Sequence, residues 1–518
     1  MTSTARAMVA SSQPLASEAG VAVLREGGTA ADACVAMDAV LHVTEPTSTG
    51  LGGDAFALHY DGATGRVTSL NASGRAPAAL TAEALRAAPP PSHGLWVTVP
   101  GCASGWAELA RRHGSMPLAR LLAPAIGLAE RGFEVGGVTA AIWARGLPQL
   151  QSEELTIGGR APGAGETFRN PGLARVLRAI AEGGAEAFYG GAIALAIANA
   201  VQGAGGVLTT ADLASHEATW DEPISASYRG ARLWECPPNG QGLVALLALG
   251  VLEGFELGDP DDPRRWHLEI EALRLAFADA RWWVGDPATD PAPIHQLLSR
   301  EYLAGRRALV NEERATLDPA RGSPTRRTGT VYHCAVDELG NACSMVSSHF
   351  VGFGTGVVPA GLGFVLHNRA LGFALDEGHP NSIAPGKRPY NTITPALLTT
   401  EAGELRGTLG VMGGFMQPQG QVQLVTALVD DDAGPQQALD RPRFFLDAAD
   451  SRGIVKLERG VSQFVIDGLR ARGHEVEADI PSYGRAMFGR GQIILRDGKG
   501  ELIGGSDRRA DGCALGIS

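Results

Sequence analysis

Two alternating segments near the middle of the chain constrain its fold more than any other feature. Residues 330–337 and 342–348 alternate in size and polarity, and Glu338 to Asn341 between them supply a Gly-Asn turn. This pattern predicts a β-hairpin. Just upstream, Leu317 to Gly329 is rich in Pro, Gly, Ser, Thr and Arg without apolar periodicity, so we expect an exposed, mobile segment. That segment leads directly into a buried strand whose first residue is Thr330.

Cleavage at the junction between this loop segment and the strand would create a reactive N-terminal residue. If the Gly329–Thr330 bond is broken, Thr330 gains an α-amino group with an ordinary pKa of about 7.7 to 8.0. That amine can act as general base for the hydroxyl group of the same residue. Glycine at 329 fits this chemistry, because a residue without a Cβ can adopt the strained geometry in which the threonine hydroxyl attacks its carbonyl. On the hairpin alone, an ordinary strand that begins with threonine after a loop is the more common explanation.

Composition excludes several classes of protein. A chain of 518 residues exceeds one ordinary core, so we expect two domains or one large layered domain. The net charge of −12 and the absence of a long basic cluster argue against nucleic-acid binding. The six cysteines show no CxxC pair, which predicts reduced, buried thiols and no zinc site. The N-terminal residues have no secretory apolar core and no run of 18 apolar residues occurs, so we expect a cytoplasmic protein without a membrane partner.

The hairpin region resembles the start of the small subunit of the γ-glutamyltranspeptidase family, and further matches extend over nearly the whole chain. The matching residues are Thr330, Asp337, Gly340-Asn341-Ala342, Phe353-Gly354-Thr355-Gly356, Gly363 and Asn368. Members of the family are N-terminal-nucleophile hydrolases that are made as one chain and cut themselves in front of a threonine. The resemblance therefore implies self-cleavage between Gly329 and Thr330.

The resemblance also implies a fold and an organisation. The expected fold is α+β, a four-layer αββα sandwich in which residues 1–329 form the large subunit and residues 330–518 the small subunit of one globule. The patterning agrees in part, because segments before Thr330 are helix-rich and segments after it are strand-rich. The two subunits of one precursor would be each other's partners, and a homodimer of that unit is left open. The expected substrate is a small-molecule amide, with water or an amine as acceptor and with no cofactor or metal.

The family's catalytic roles fall on four residues. Thr330 would be the nucleophile, and Ser348 stands where the family has a threonine hydroxyl that bonds to it. In the segment GVMGG, Gly413 and Gly414 would supply backbone N–H groups to the oxyanion. A plain tight turn is the alternative reading of these two glycines.

Substrate binding is implied at five further positions in the same way. Asn391 and Thr392 occupy the places of two residues that hold the substrate carboxylate in relatives, and Arg75 lies two places after the family's carboxylate-binding arginine. A surface arginine is the alternative for Arg75. Phe350 and Arg369 replace an asparagine and a glutamine or glutamate of the glutathione-processing members, and an aspartate of those enzymes is also missing. The pocket has thus lost a partner for an α-ammonium group and gained a cation.

Two substrate classes follow from these departures. One is a γ-glutamyl amide that is hydrolysed slowly. The other is an acyl group with a carboxylate and no α-amino group, of glutaryl type or another short dicarboxylic monoamide, because an ammonium beside Arg369 would be repelled. Cephalosporin acylases and oxamate-type amidases resemble this second pattern. Arg75 or Arg369 would grip the carboxylate of such a group.

Three alternatives from other classes are also open. A relative that keeps the fold as a non-catalytic scaffold would run as one band on a denaturing gel. A metal hydrolase would use the sequence cluster of His333, His349, His367 and His379, although none of these shows HExxH spacing. A nucleotide site at the glycine-rich segment 46–54 is disfavoured, because no Lys-Ser/Thr follows it.

Overall fold

The computed structural model describes residues 5–90, 93–317, 329–447, 453–481 and 486–518. The sequence predicts an exposed segment from Leu317 to Gly329, and residues 318–328 of this segment lie outside the described residues. In the part that is described, no helix has both the length and the apolar character needed to cross a membrane. The chain is a mixture of helices and antiparallel sheets.

Strands and helices are numbered in chain order. The strands are β1 (Ala7–Ser11), β2 (Asp54–Tyr60), β3 (Val67–Ala72), β4 (Phe133–Glu134), β5 (Thr167–Phe168), β6 (Thr219–Asp221), β7 (Ile224–Tyr228), β8 (Ala231–Glu235), β9 (Gly329–Val336), β10 (Ala342–Phe350), β11 (Ala396–Thr400), β12 (Leu405–Met412), β13 (Phe444–Leu446), β14 (Val455–Glu458), β15 (Val476–Ile480), β16 (Arg490–Arg496), β17 (Leu502–Ser506) and β18 (Cys513–Ile517). The α-helices are α1 (Pro14–Arg25), α2 (Ala30–Thr44), α3 (Ala82–Ala87), α4 (Cys102–His113), α5 (Leu118–Arg131), α6 (Gly137–Gly146), α7 (Pro171–Gly183), α8 (Glu186–Tyr189), α9 (Gly191–Gly203), α10 (Thr210–Ala214), α11 (Leu243–Leu252), α12 (Pro263–Trp283), α13 (Ile294–Leu297), α14 (Arg300–Arg307), α15 (Met416–Val429), α16 (Pro435–Asp440) and α17 (Gln463–Ala471).

Two large sheets contain strands from both sides of the 329–330 junction. The first has the order β18-β1-β9-β10-β2-β3-β6, and the second has the order β17-β16-β12-β11-β8-β7. Neighbouring strands within each are antiparallel. Neither half of the chain could complete either sheet alone.

The predicted hairpin is confirmed as β9 and β10, at the centre of the first sheet. Its pairing is regular up to Ser347 opposite Val331, and the next pair is Phe350 opposite Gly329. Strand β10 therefore carries one extra residue here, a β-bulge of the kind that redirects side chains. Phe350, at the end of the bulge, has a φ of 79°, a conformation that a bulky side chain adopts only under strain.

The two sheets pack against each other next to the hairpin. A Cβ placed on Gly410 of β12 would lie 2.3 Å from the Tyr332 ring of β9, so only glycine allows this approach. Because side chains alternate along a strand, Thr330 shares the face of Tyr332. The opposite face of β9 packs toward α2, where His333 lies near Asp38. Thr330 is thus buried on the side of its sheet that faces the second sheet.

Local chemistry sets the starts of three helices. Thr209 caps α10, because its side chain accepts the Asp212 N–H in a capping box. Helix α12 begins at Pro263, and proline is favoured at the first position of a helix. Helix α15 starts at Met416 and includes Pro418, since a proline is tolerated in the first turn of a helix.

Candidate active site

The Thr330 hydroxyl group is buried between the sheets and contacts a second hydroxyl group. Its Oγ1 lies 3.1 Å from Ser348 Oγ. Ser348 Oγ also accepts a hydrogen bond of 2.9 Å from the Phe350 N–H. The bulge in β10 therefore holds Ser348, the residue predicted to assist the nucleophile, next to Thr330.

The loop of Gly413 and Gly414 lies between β12 and α15. Both residues have positive φ angles, of 128° and 60°, which a glycine adopts without strain. The Met416 N–H donates to the Gly413 carbonyl at 3.1 Å, and the Gln417 N–H donates to the Gly414 carbonyl at 3.0 Å. Because both carbonyl groups are engaged, the peptide planes of this loop are fixed.

Two glutamines join this loop to the other predicted residues. Gln241 Nε2 donates to the Gly414 carbonyl and to the Thr392 carbonyl, both at 2.8 Å. Gln417 Nε2 donates to Thr330 Oγ1 at 3.4 Å. Neither glutamine was predicted, and Gln241 lies in a PPNGQG segment that reads as a simple turn.

Arg369 occupies a fully buried position close to the bulge. Its Nε donates to Asp54 Oδ2 at 3.0 Å, and its Nη1 donates to Thr392 Oγ1 at 3.2 Å. The guanidinium carbon lies 4.5 Å from the centre of the Phe350 ring. Within the described residues Nη2 has no hydrogen-bond partner. Burial lowers the pKa of Arg369 to about 10, so the side chain is still a cation at neutral pH.

These contacts form a closed ring that brings the predicted residues together. The ring runs through Thr330, Ser348, Phe350, Arg369, Thr392, Gln241, Gly414 and Gln417, and returns to Thr330. Its members come from five separate parts of the chain. A hydroxyl group, a fixed glycine loop and a buried cation therefore share one site.

Asp54 supports this ring from the start of β2. Its Oδ1 accepts the Gly74 N–H at 3.0 Å, while its Oδ2 accepts from Arg369 and, at 3.0 Å, from Asn391 Nδ2. Asn391 therefore uses its amide to hold this carboxylate. The sequence signal for Asp54 was a single acidic residue directly after a glycine-rich loop, and it was missed.

Arg75 is not part of the ring. Its Nη1 donates to Asp286 Oδ2 and to the Gly386 carbonyl, both at 3.0 Å, and the side chain is 35% exposed. Asp286 also accepts the Arg388 N–H. Arg75 thus stabilises the neighbouring loop through Asp286, whereas Arg369, although paired with Asp54, keeps Nη2 without a partner in the described part of the chain.

A second arginine contacts the backbone of Thr330. Arg490 Nη2 donates to the Thr330 carbonyl at 3.4 Å and to Ser48 Oγ at 3.2 Å. Its Nη1 pairs with Glu45 Oε2 at 3.0 Å, in a buried contact. Burial raises the pKa of the Glu45 carboxyl, although Arg490 opposes this. The glycine-rich segment 46–54 therefore packs beside the site, through Ser48 and Asp54.

The four histidines proposed for a metal site do not form one group. His333, His349 and His367 are buried, and burial lowers the pKa of each. In the described ranges, the ligand atoms of His267, Glu271 and His474 are the only three found within 4.8 Å of one another. Arg274 lies 3.4 Å from both Glu271 and His474, and a cation there opposes a bound metal ion.

Comparison with known proteins identifies the family of the chain. A family model described as gamma-glutamyltranspeptidase matches residues 16–517. The chain is 34% identical over 523 residues to the glutathione hydrolase-like YwrD proenzyme of Bacillus subtilis, with 98% of each covered. It is 35% identical over 517 residues to the oxamate amidohydrolase proenzyme of Klebsiella pneumoniae, with 97% of each covered. The solved structure of cephalosporin acylase from Bacillus halodurans matches with a TM-score of 0.92 and 42% identity, covering 100% of this chain and 97% of that one.

The fold and the site together define an enzyme of the hydrolase class that acts on amide bonds. The chain belongs to the γ-glutamyltranspeptidase family. The resemblance seen in the sequence is confirmed.

Proposed function

We propose that this protein is a self-processing amide hydrolase whose nucleophile is the Thr330 hydroxyl group. The observation that carries the proposal is the buried contact of Thr330 Oγ1 with Ser348 Oγ at 3.1 Å, beside the fixed Gly413 and Gly414 loop. The names of the relatives as proenzymes support a chain that is cut after synthesis. Cleavage at Gly329–Thr330 would give a large subunit of residues 1–329 and a small subunit of residues 330–518. We also infer the four-layer αββα arrangement for these subunits.

In the processed enzyme, Thr330 Oγ attacks the carbonyl carbon of the substrate amide. The hydroxyl proton passes to the α-amine of Thr330, and the carbonyl electron pair moves to an oxygen that the N–H groups of Gly413 and Gly414 hold. The amine then gives this proton to the leaving nitrogen as the C–N bond breaks. Water, or an amine acceptor, attacks the threonyl ester in the second half of the cycle.

Each group around Thr330 has a role in this scheme. Ser348 orients the hydroxyl group, and Arg490 holds the Thr330 carbonyl so that the new amine stays near its own side chain. Loss of one oxyanion donor typically costs about 10² to 10³ in turnover. No metal or cofactor takes part in any of these steps.

Denaturing gels and mass spectrometry test the nucleophile. The unmodified protein should give fragments of residues 1–329 and 330–518, and Thr330→Ala should give one uncut chain without activity. Thr330→Ser is the matched control, because it keeps a hydroxyl group and should still process. An uncut, fully active protein would refute the proposal, and an uncut, inactive one would favour the non-catalytic scaffold.

For the substrate, we infer an acyl group that carries a carboxylate and no α-amino group. The observation that favours it is the Arg369 cation, which is buried against Phe350 and whose Nη2 has no hydrogen-bond partner among the residues that the structure describes. The described carboxylate nearest to Arg369, Asp54, already accepts from three donors and is not free to bind an ammonium group. The relatives named oxamate amidohydrolase and cephalosporin acylase support this class. A slow γ-glutamyl hydrolase is the second candidate, favoured by the relative named glutathione hydrolase-like.

Two chromogenic amides separate these candidates. Glutaryl-p-nitroanilide and γ-glutamyl-p-nitroanilide differ only in the α-amino group, so the ratio of their kcat/KM values measures its effect. A preference for the glutaryl compound supports the first class. A clear preference for the γ-glutamyl compound would overturn it.

A further inference from the structure

The side chain of Gln417 contacts the reacting oxygen of Thr330, and nothing in the sequence pattern pointed to it. Gln417 is fully buried in the first turn of α15, directly after the Gly413 and Gly414 loop. Its Nε2 lies 3.4 Å from Thr330 Oγ1. A side chain in this position can act on the nucleophile itself.

The orientation of the Gln417 amide is fixed by its other end. Gln417 Oε1 accepts hydrogen bonds from the Thr394 N–H at 3.0 Å and from Thr394 Oγ1 at 3.3 Å. Because a backbone N–H can only donate, the oxygen must face Thr394 and the NH₂ group must face Thr330. Gln421 Nε2 in turn holds the Thr394 carbonyl at 2.8 Å. The group presented to Thr330 is therefore a donor.

A donor at this place differs from the hydroxyl group of Ser348. Ser348 Oγ can accept the Thr330 proton, whereas the amide nitrogen of Gln417 cannot accept any proton. Gln417 therefore directs the threonine proton away from itself and faces a lone pair of Oγ. A separation of 3.4 Å is long for a neutral pair, and such contacts shorten when the acceptor gains charge.

We propose that Gln417 is a catalytic residue that stabilises negative charge on Thr330 Oγ, an inference that rests on the proposed function. While the proton moves from Oγ to the α-amine and the Oγ–C bond forms, Oγ carries partial negative charge. The same charge returns when the Oγ–C bond of the ester breaks in the second half-reaction. One neutral donor therefore serves both steps, and it does so without competing with the amine for the proton.

The first test uses Gln417→Met, which removes the donor and keeps the volume of the side chain. The control is Gln423→Met on the same helix, because the described contacts of the Gln423 amide are with the carbonyl groups of Gln419 and Phe444 and with the Phe444 N–H, away from Thr330. With the faster of the two p-nitroanilides, Gln417→Met should lower kcat about 10- to 100-fold, the size of a lost hydrogen bond to a charged group. Its KM should stay within about twofold of the wild-type value.

The second test uses Gln417→Glu and the pH dependence of its rate. At neutral pH a carboxylate opposes charge on Oγ, so the loss should exceed that of Gln417→Met. As the pH falls toward the ordinary glutamate pKa of about 4.3, the side chain becomes a donor again, and the ratio of variant to wild-type kcat should rise. If Gln417 has only a packing role, the ratio of variant to wild-type kcat should not change with pH.

The outcomes separate this inference from the function on which it rests. Equal kcat values for Gln417→Met and Gln423→Met, or a flat ratio for Gln417→Glu, would overturn the role of Gln417 while an inactive Thr330→Ala variant upholds the nucleophile. Full activity of Thr330→Ala would instead refute the proposed function itself.

Discussion

The role of Arg369 as the anchor of a substrate carboxylate can be tested by removing its charge together with that of Asp54. Arg369→Gln alone would leave the Asp54 carboxylate buried without its cation, which typically costs about 3 to 5 kcal/mol of stability. The double variant Asp54→Asn, Arg369→Gln removes both charges of the pair and keeps polar groups of similar size. In Asp54→Asn, Oδ1 can still accept the Gly74 N–H, whereas the amide NH₂ group that replaces Oδ2 no longer accepts from Asn391 Nδ2.

The expected change in kcat/KM follows from Arg369 Nη2, which has no hydrogen-bond partner among the described residues. A charged hydrogen bond from Arg369 Nη2 to a carboxylate contributes about 1.5 to 3 kcal/mol, or about 10- to 150-fold in kcat/KM. The assay compares glutaryl-p-nitroanilide with valeryl-p-nitroanilide, in which a methyl group replaces the carboxylate. The wild-type enzyme should prefer the glutaryl compound by about this factor, and the double variant should lose the preference while its rate on the valeryl compound changes little.

Arg75→Gln provides the matched control for this measurement. Its guanidinium group is paired with Asp286, so the ratio of glutaryl to valeryl kcat/KM should equal that of the wild type. A ratio that is unchanged in the double variant would refute the reasoning about Arg369. A ratio that collapses in Arg75→Gln would assign the carboxylate to Arg75 instead.

Three further predictions concern the surroundings of the nucleophile. Ser348→Ala should lower kcat about 2- to 10-fold, as expected for one lost hydrogen bond, and Ser348→Thr should restore it in the same p-nitroanilide assay. Gly410→Ala should destabilise folding by about 1 to 3 kcal/mol in chemical denaturation, because its Cβ would meet the buried Tyr332 ring. Burial alone would raise the pKa of Asp38, but His42 and other neighbours lower it from 3.8 to about 2. The ionised Asp38 should therefore contribute about 2 kcal/mol to the free energy of unfolding above about pH 4. This contribution should be lost as the pH falls from about 4 to about 2. Denaturation of wild type and Asp38→Asn across that range checks this, since the variant should lack that loss.

The local pattern of the sequence was sufficient for the hairpin that carries Thr330. The alternation around the Gly-Asn turn predicted β9 and β10, because a buried strand repeats every two residues over a short stretch. Gly413, Gly414 and Ser348 were named from the resemblance to the γ-glutamyltranspeptidase family. The structure gives both glycines positive φ angles and places Ser348 Oγ 3.1 Å from Thr330 Oγ1, while their roles in catalysis stay predictions.

The rest of the site depends on contacts between distant parts of the chain. Gln241 lies 173 residues from Gly414 and Asp54 lies 315 residues from Arg369, so no local pattern links either pair. For the same reason, the sequence could not decide whether Arg75 or Arg369 binds a carboxylate of the substrate. Asp286, the partner of Arg75, is 211 residues away in the chain. Which arginine keeps a nitrogen without a hydrogen-bond partner among the described residues is therefore a property of the fold.

The pairing of Phe350 with Gly329 predicts where the acyl group of a substrate would lie. In the continuous chain Gly329 sits opposite Phe350 across the hairpin, directly before the bond that the proposed self-cleavage breaks. In that reaction Thr330 would attack the Gly329 carbonyl, so we expect a substrate acyl group to occupy the same place later. We therefore expect Phe350, held by its contacts with Ser348 and Arg369, to border the acyl pocket of the processed enzyme. If Gly329 and the substrate use the same wall of the site, a change at Phe350 should affect self-cleavage and turnover together.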